Sequence, residues 1–416
     1  MTRALVQQPA LLMLLLAAAL GVTSVYAQSP QVIPLRGVPF AASGVRIGAD
    51  GQLAFLVDGQ SRTMPADEFV RWGFPAEATR GPQLFTRDGS LLVGEVVSFA
   101  DDRLMALLDL FGEARFERDQ LAAIVFQPPG AAGDRDRLMF DLLDGTPEAD
   151  RVLLVNGDTL TGTIRELTGD RLSFELQGST VELPIGRVVA AAFGQADSSA
   201  QSDAPPRWLV GFEDGTLLRV RSVMATDEAF EVVLPDGDVL RFDAPQSLTF
   251  LQRLAASLHY LSDREPYSFQ HDAFLDLAWP LRADRNVAGG RLRAGGHLYA
   301  KGLGVHSAAR LVYRLDQQHR RFQAAVAIDD HTDGRGSVVF RVFLLKGQEW
   351  QPAWNSRMVR GGDPPVPVSV DLADARAIAL VVDFADRGDQ WDRANWLDAR
   401  LIGAADGSSD AAKETP

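Results

Sequence analysis

Between Leu153 and Ile164 apolar and polar side chains alternate about an Asn156-Gly157 pair. Alternation of period two marks a half-buried strand, and Asx-Gly supplies the positive φ angles of a tight hairpin. The same arrangement recurs around Asp88-Gly89 and Asp214-Gly215, and the residues after each pair are also repeated. The stretch from Gly162 (GTIRELTGDRLSFELQGSTVELPIGRVVAAAF) aligns with that from Gly44 (GVRIGADGQLAFLVDGQSRTMPADEFVRWGF). Gly44 then matches Gly162, Leu53 matches Leu172, Phe55 matches Phe174 and Pro65 matches Pro184. A third copy begins at Gly94 and a more diverged fourth at Val220. Each copy predicts about five short strands, and so small a unit must curl to bury its inner face. The expectation is four tandem small β-barrel-like repeats, at 31–78 (a partial copy), 82–128, 150–195 and 206–252.

Pro128-Pro129-Gly130 and the stretch ADSSAQSDAPP are turn-rich and poor in apolar residues, so they read as linkers between copies. The apolar run Leu138 to Leu143 fits either a helical turn or a strand. Beyond the repeats, alternation resumes in Arg310–Leu315, Phe322–Ile328, Ser337–Leu344 and Ala377–Phe384, with turns at Asp333-Gly334 and Lys346-Gly347. Many short strands with little helix signal predict a β-sandwich over 258–403. The whole chain is therefore expected to be all-β, with a disordered tail at 404–416.

The first residues carry a different pattern. Arg3 precedes an apolar core from Leu11 to Val22, and Val25-Tyr26-Ala27 fits the small-x-small cleavage rule. Residues 1–27 are read as a signal peptide, since the apolar core is shorter than the roughly 20 residues a membrane span needs. The expected location is extracytoplasmic, periplasmic or secreted, with no transmembrane segment after cleavage. The chain has no Cys, which excludes a disulfide framework, thiolate-bound metal and a lipid-modified Cys. Its net charge of −14 argues against a nucleic-acid partner, which calls for clustered Lys and Arg.

All 6 His and five of the 7 Trp fall in the last third, so small-ligand recognition is expected there. The run Leu298-Tyr299-Ala300-Lys301-Gly302-Leu303-Gly304-Val305-His306 resembles the "Y.KGLGVH" signature of NPCBM domains (the glycosyl hydrolase family 98-type carbohydrate-binding module). Ala327-Ile328-Asp329-Asp330, Gly336 to Val342, and Asp392 to Leu401 resemble three further signatures of that family in the same order. The resemblance implies a jelly-roll-like sandwich that binds galactose-type glycans, often attached to glycoside hydrolases. Arg393 stands where the family often has His, and Asn395 where it often has Asp. The repeats are similar, more loosely, to Sm-like small β-barrels.

A sugar site needs a flat aromatic face and fixed polar groups. The candidate carbohydrate-binding residues are Tyr299, His306, Trp350, Trp391, Arg393 and Asn395, with Trp354 a further candidate face. Asp383, Asp386, Asp389 and Asp392 recur every three residues in one turn-rich stretch, a donor set suited to Ca²⁺, and the resemblance also implies a structural calcium. No metal-binding helix motif, nucleophile elbow or phosphate loop occurs. The sequence reading is a secreted, non-enzymatic protein whose terminal module binds a glycan or polysaccharide, with the repeats as stalk or assembly platform. The alternatives are a structural cell-envelope protein whose sandwich binds an envelope protein partner, and a cryptic glycoside hydrolase accessory.

Overall fold

The computed structural model describes residues 30–403, apart from 49, 146, 195–204, 227–228, 243–246, 255–257, 273–276 and 387. The expected signal peptide and C-terminal tail lie outside the described residues. Among the described residues the chain is almost entirely β, with one α-helix, Ala132–Leu143, where the ambiguous apolar run falls.

Two copies show the repeat plan most clearly. The third runs Asp150–Leu154, Thr159–Thr168, Arg171–Leu176, Ser179–Pro184, a 3-10 turn at Ile185–Arg187, then Val188–Ala192. The second runs Gln83–Thr86, Leu91–Ala100, Arg103–Leu108, Gly112–Glu117, a 3-10 turn at Arg118–Gln120, then Leu121–Val125. The first hairpin of each is closed by its Asx-Gly pair. Gly89 and Gly157 have φ of 88° and 90°. The Asx carboxyl or amide oxygen accepts the N–H two residues on, from Ser90 to Asp88 at 3.0 Å and from Asp158 to Asn156 at 3.2 Å.

Two of the glycines that head the repeat alignment, Gly162 and Gly94, have a mechanical reason. Gly162 lies where strand Thr159–Thr168 leaves one partner strand for the next, and Gly94 does the same in Leu91–Ala100. A Cβ on Gly162 would run into the Glu175 carbonyl and the Phe174 ring, and one on Gly94 into the Leu107 carbonyl. The fourth copy has Val220-Arg221 at this point, and there the long strand is broken into Leu217–Val220 and Ser222–Ala225.

The copies are joined edge to edge. Leu121–Val125 pairs with Val188–Ala192, Leu248–Arg253 pairs with Phe69–Gly73, and Leu217 pairs with Leu91. These pairings make one 16-stranded sheet. The apolar inner positions predicted from the alignment, Leu53, Phe55, Leu172 and Phe174, are buried in a single core shared by all four copies.

Among the described residues the last third holds two six-stranded antiparallel sheets and a two-stranded one, Leu292–Ala294 with His297–Tyr299. One six-stranded sheet contains Gly302–His306, Arg393–Gly403, His319–Ile328 and Val366–Asp371. The other contains Ser268–His271, Ala309–Arg314, Ala375–Phe384, Ser337–Lys346 and Glu349–Asn355. Trp396, Tyr313, Phe322 and Phe340 fill the space between them.

The sandwich is clamped to the repeats by ions. Glu77 and Asp136, from segments flanking the second copy, face Arg291 and Arg293 of the sandwich. Arg293 Nη1 is 2.7 Å from Glu77 Oε2, and Arg291 Nε is 2.7 Å from Asp136 Oδ1. Burial pushes the Asp136 carboxyl up, but the two guanidiniums outweigh it and hold the group below the usual carboxylate range. A second knot joins Arg71 Nε to Asp398 Oδ2 at 2.9 Å, with Gln252 Nε2 donating to Asp398 at 3.0 Å.

Gly162→Ala is expected to destabilise the protein by about 1–3 kcal/mol through overpacking against the next strand. Gly44→Ala is expected to change stability by less than about 0.5 kcal/mol, because nothing lies within 4 Å of its Cβ direction. Denaturant unfolding of both variants checks this, and equal effects would refute the assigned role of Gly162.

Candidate functional site

Strand register places two of the sequence signatures side by side. Gly302–His306 lies antiparallel to Arg393–Gly403, with His306 opposite Arg393. The loop that precedes Arg393 carries Trp391 at the same end of the sandwich.

Trp391 has φ of 64°, in the left-handed region that costs a bulky residue about 1–3 kcal/mol. Its neighbours hold it there. The buried Asp392 carboxylate accepts from Ser307 Oγ at 2.7 Å and from the Ser337 N–H at 2.8 Å. The Arg393 N–H donates to the Trp391 carbonyl at 2.8 Å. Gly336 permits this approach, since a Cβ there would strike the Trp391 carbonyl. Burial pushes the Asp392 carboxyl up to about 6, against the two hydrogen bonds that favour its ionised form and with Asp389 adding to the rise.

Trp391 is 38% exposed. The Arg335 guanidinium lies 3.6 Å from its ring centroid and that of Arg393 lies 5.2 Å away. A groove of about 420 Å³ opens beside it, lined by Arg335, Ser337, Arg360, Asp386 and Gln390. Arg360 Nη2 and Asp386 Oδ2 are 2.7 Å apart across its rim. Phe384, one residue before the loop, is 57% exposed. An aromatic face beside guanidinium, carboxylate and amide groups is the chemistry that holds a pyranose ring by its apolar side and its hydroxyls.

His306 is present at this end, but buried. Its Nδ1 is 2.8 Å from the Ser307 carbonyl, and the Trp279 indole stacks on its ring at 5.0 Å and 7°. His271 Nδ1 accepts the backbone N–H of Trp279 at 3.2 Å, and its Nε2 is 3.1 Å from the Ser307 carbonyl. Burial pushes the His306 imidazole down, so it stays neutral near pH 7. Sequence reasoning does not single out Trp279, Arg335 or Arg360. None lies in an alternating run, and their proximity to Trp391 or His306 comes from segments distant in the chain.

The remaining predicted residues divide between this end and other parts of the sandwich. Tyr299 is buried against Phe74 of the repeats, ring centroids 5.2 Å apart, with the Arg71 guanidinium 5.5 Å away. Asn395 is fully buried and donates to Asp329 at 2.8 Å, tying two strands of one sheet. Trp354 packs into the sandwich core, and Trp350 lies exposed on strand Glu349–Asn355. Of the four aspartates, Asp383 pairs with Arg341 at 3.0 Å, Asp386 pairs with Arg360, and Asp392 is committed to Ser307 and Ser337. As placed, they do not form one coordination shell. Among the described residues no group of three or more His, Cys, Asp or Glu is gathered to hold a metal ion.

Residues 257–402 match the model of the NPCBM/NEW2 domain. Alpha-1,3-galactosidase B of Akkermansia muciniphila is 33% identical over 121 residues, which are 28% of this chain and 15% of that protein. The chain thus spans only a small part of the length of this curated relative. A CBM51 module from Clostridium perfringens GH95, solved in complex with methyl-galactose, is 24% identical with a TM-score of 0.31, covering 35% of this chain and 99% of that one. CBM51-2 with the INT domains of Clostridium perfringens ZmpB, solved in complex with GlcNAc, is 26% identical with a TM-score of 0.32, covering 45% of this chain and 40% of that one. The four signatures, their convergence in one sandwich and the matched span agree that residues 257–402 are the part of this chain similar to the NPCBM/NEW2 domain.

Proposed function

We propose that the sandwich binds a galactose-type glycan at its Trp391 end, that it does so without catalysis, and that the protein works outside the cytoplasm with the repeats as its platform. The observation that carries this reading is Trp391, held in a left-handed conformation and partly exposed beside a polar groove. Backbone strain maintained by buried hydrogen bonds is characteristic of ligand-contacting loops. The galactose preference draws support from the relative named as an alpha-1,3-galactosidase and from the module solved with methyl-galactose. Glycoside hydrolysis takes two carboxylates across the scissile bond. Among the described residues the groove is lined by one, Asp386, already paired with Arg360.

The platform role rests on the clamp. Because Glu77 and Asp136 fix Arg291 and Arg293, the repeats cover the Tyr299 face of the sandwich and leave the Trp391 end open.

Calorimetric titration of the full chain with methyl-galactose and with galactose-terminated oligosaccharides tests the reading. Trp391→Ala is expected to weaken binding at least about tenfold. Tyr299→Ala is expected to lower stability and leave the affinity of the folded fraction unchanged. Absence of binding to any member of a glycan array, together with recovery of a specific protein partner, would overturn the proposal in favour of a protein-binding envelope component.

A pH effect arises from Asp392, which faces Ser307, Ser337 and Asp389. Its native pKa of about 6 lies above the ordinary 3.8. Between these values the native state keeps a proton that the unfolded chain has lost, so this contribution is full below about pH 4 and declines as pH rises through about 6. Asp392→Asn mimics the protonated group. The melting temperature of the wild type relative to Asp392→Asn is expected to fall between pH 4 and about 6.5. A difference independent of pH across that window would refute the assignment.

A further inference from the structure

Trp350 is 44% exposed, a large apolar area for a surface strand, and the candidate groove does not account for it. Strand Ser337–Lys346 separates the two places. Ser337 lines the Trp391 groove, and Leu345 is paired with Trp350. Eight residues of extended chain put them ~26 Å apart.

The register shows what surrounds Trp350. Trp350 pairs with Leu345, Leu345 with Ala377, and Ala377 with Arg314, so these four form one transverse row on the outer face of their sheet. The next row contains Pro352, Phe343, Ala379 and Val312. Val312, Ala377, Ala379, Phe343 and Leu345 make an apolar cluster of their own, separate from the core between the sheets. At the far end of the first row the Arg314 guanidinium lies 4.1 Å from the ring centroid of Tyr267, which is 64% exposed. Val312, Ala377 and Ala379 at the centre are buried, so the exposed part of this apolar row is its two edges, Trp350 on one side and the Arg314–Tyr267 pair on the other, three strand spacings or ~14 Å apart.

Charge identifies the occupant. Arg310, Arg314 and Arg341 stand on this same face; among the described residues the carboxylates beside them are Asp383, paired with Arg341 at 3.0 Å, and Asp272, which accepts from Gln270 at 2.9 Å. Arg310 donates to the neutral Gln270 amide at 3.1 Å. A local excess of guanidinium in a chain of net charge −14 complements an anion. Guanidinium is the group suited to carboxylate or sulfate, and the exposed aromatic edges are suited to sugar ring faces. We propose that this sheet face is a second glycan-binding surface, distinct from the Trp391 groove and specific for an acidic glycan bearing uronate or sulfate groups. Two surfaces ~26 Å apart on one rigid sandwich let a single chain engage two stretches of polysaccharide, which raises avidity without further contacts.

Affinity electrophoresis of the full chain in gels containing polygalacturonate, heparin or neutral dextran tests the proposal. The wild type is expected to be retarded by at least one acidic polysaccharide and not by dextran, with the effect lost at high salt. Trp350→Ala and Arg314→Gln are each expected to weaken that retardation about five- to tenfold, while Trp391→Ala leaves it intact. Both altered side chains are exposed, and an unchanged thermal melt verifies their folding. No retardation beyond that in dextran would overturn the proposal. So would loss of acidic binding in Trp391→Ala with Trp350→Ala unaffected, and so would a dimer in sedimentation velocity that Trp350→Ala dissolves without altering glycan retention. Because the Trp391 groove is read separately with methyl-galactose, failure of one surface is distinguishable from failure of the other.

Discussion

Asp392 accepts one hydrogen bond from Ser307, at the end of a strand in one sheet, and another from Ser337, at the start of a strand in the other. A single buried carboxylate thus ties the two layers of the sandwich together at the end where the loops meet. Its burial is costly for the ionised form and raises the carboxyl pKa to about 6. The gain is geometric. With Asp392 fixed, the preceding residue has little choice of conformation, and Trp391 is held left-handed with part of its indole in solvent. The aromatic face of the candidate groove is therefore preorganised by a neighbour that does not line it.

The ion clamp between repeats and sandwich has a comparable effect on a larger scale. Paired guanidiniums and carboxylates buried together add little net stability over apolar packing, yet removing one partner is expensive, so such clusters set orientation more than they set stability. Here the orientation covers one aromatic, Tyr299, and leaves two others, Trp391 and Trp350, facing solvent on different surfaces. Residues that share a sequence signature are divided by this packing. His306 and Arg393 sit at the open end, whereas Tyr299 holds the domains together and Asn395 anchors Asp329. The guanidinium-flanked face around Trp350 and the Trp391 groove lie at opposite ends of one strand, so the same rigid element positions both.

Much of the fold is legible along the chain because its cause is local. Strand alternation is a property of successive residues, Asx-Gly turns need the φ angles that Gly supplies, and Gly94 and Gly162 mark points where a side chain would meet the adjoining backbone. The signatures of the last third are legible for the same reason, as each is one strand or one strand end. Trp279, Arg335 and Arg360 are not, because nothing in their own segments sets them apart; they matter through neighbours brought in by the sheets.

An all-β chain with internally similar segments and a terminal sandwich that resembles the NPCBM domain can be read from contiguous residues, since period, turn chemistry and motif order are written there. Three things could not be read that way: that the four copies share one core, which aspartates are consumed by arginines, and which aromatics remain open. Those outcomes depend on strand register and on domain packing, where a residue's partner lies far along the chain and the low dielectric of the interior makes the choice of partner decisive.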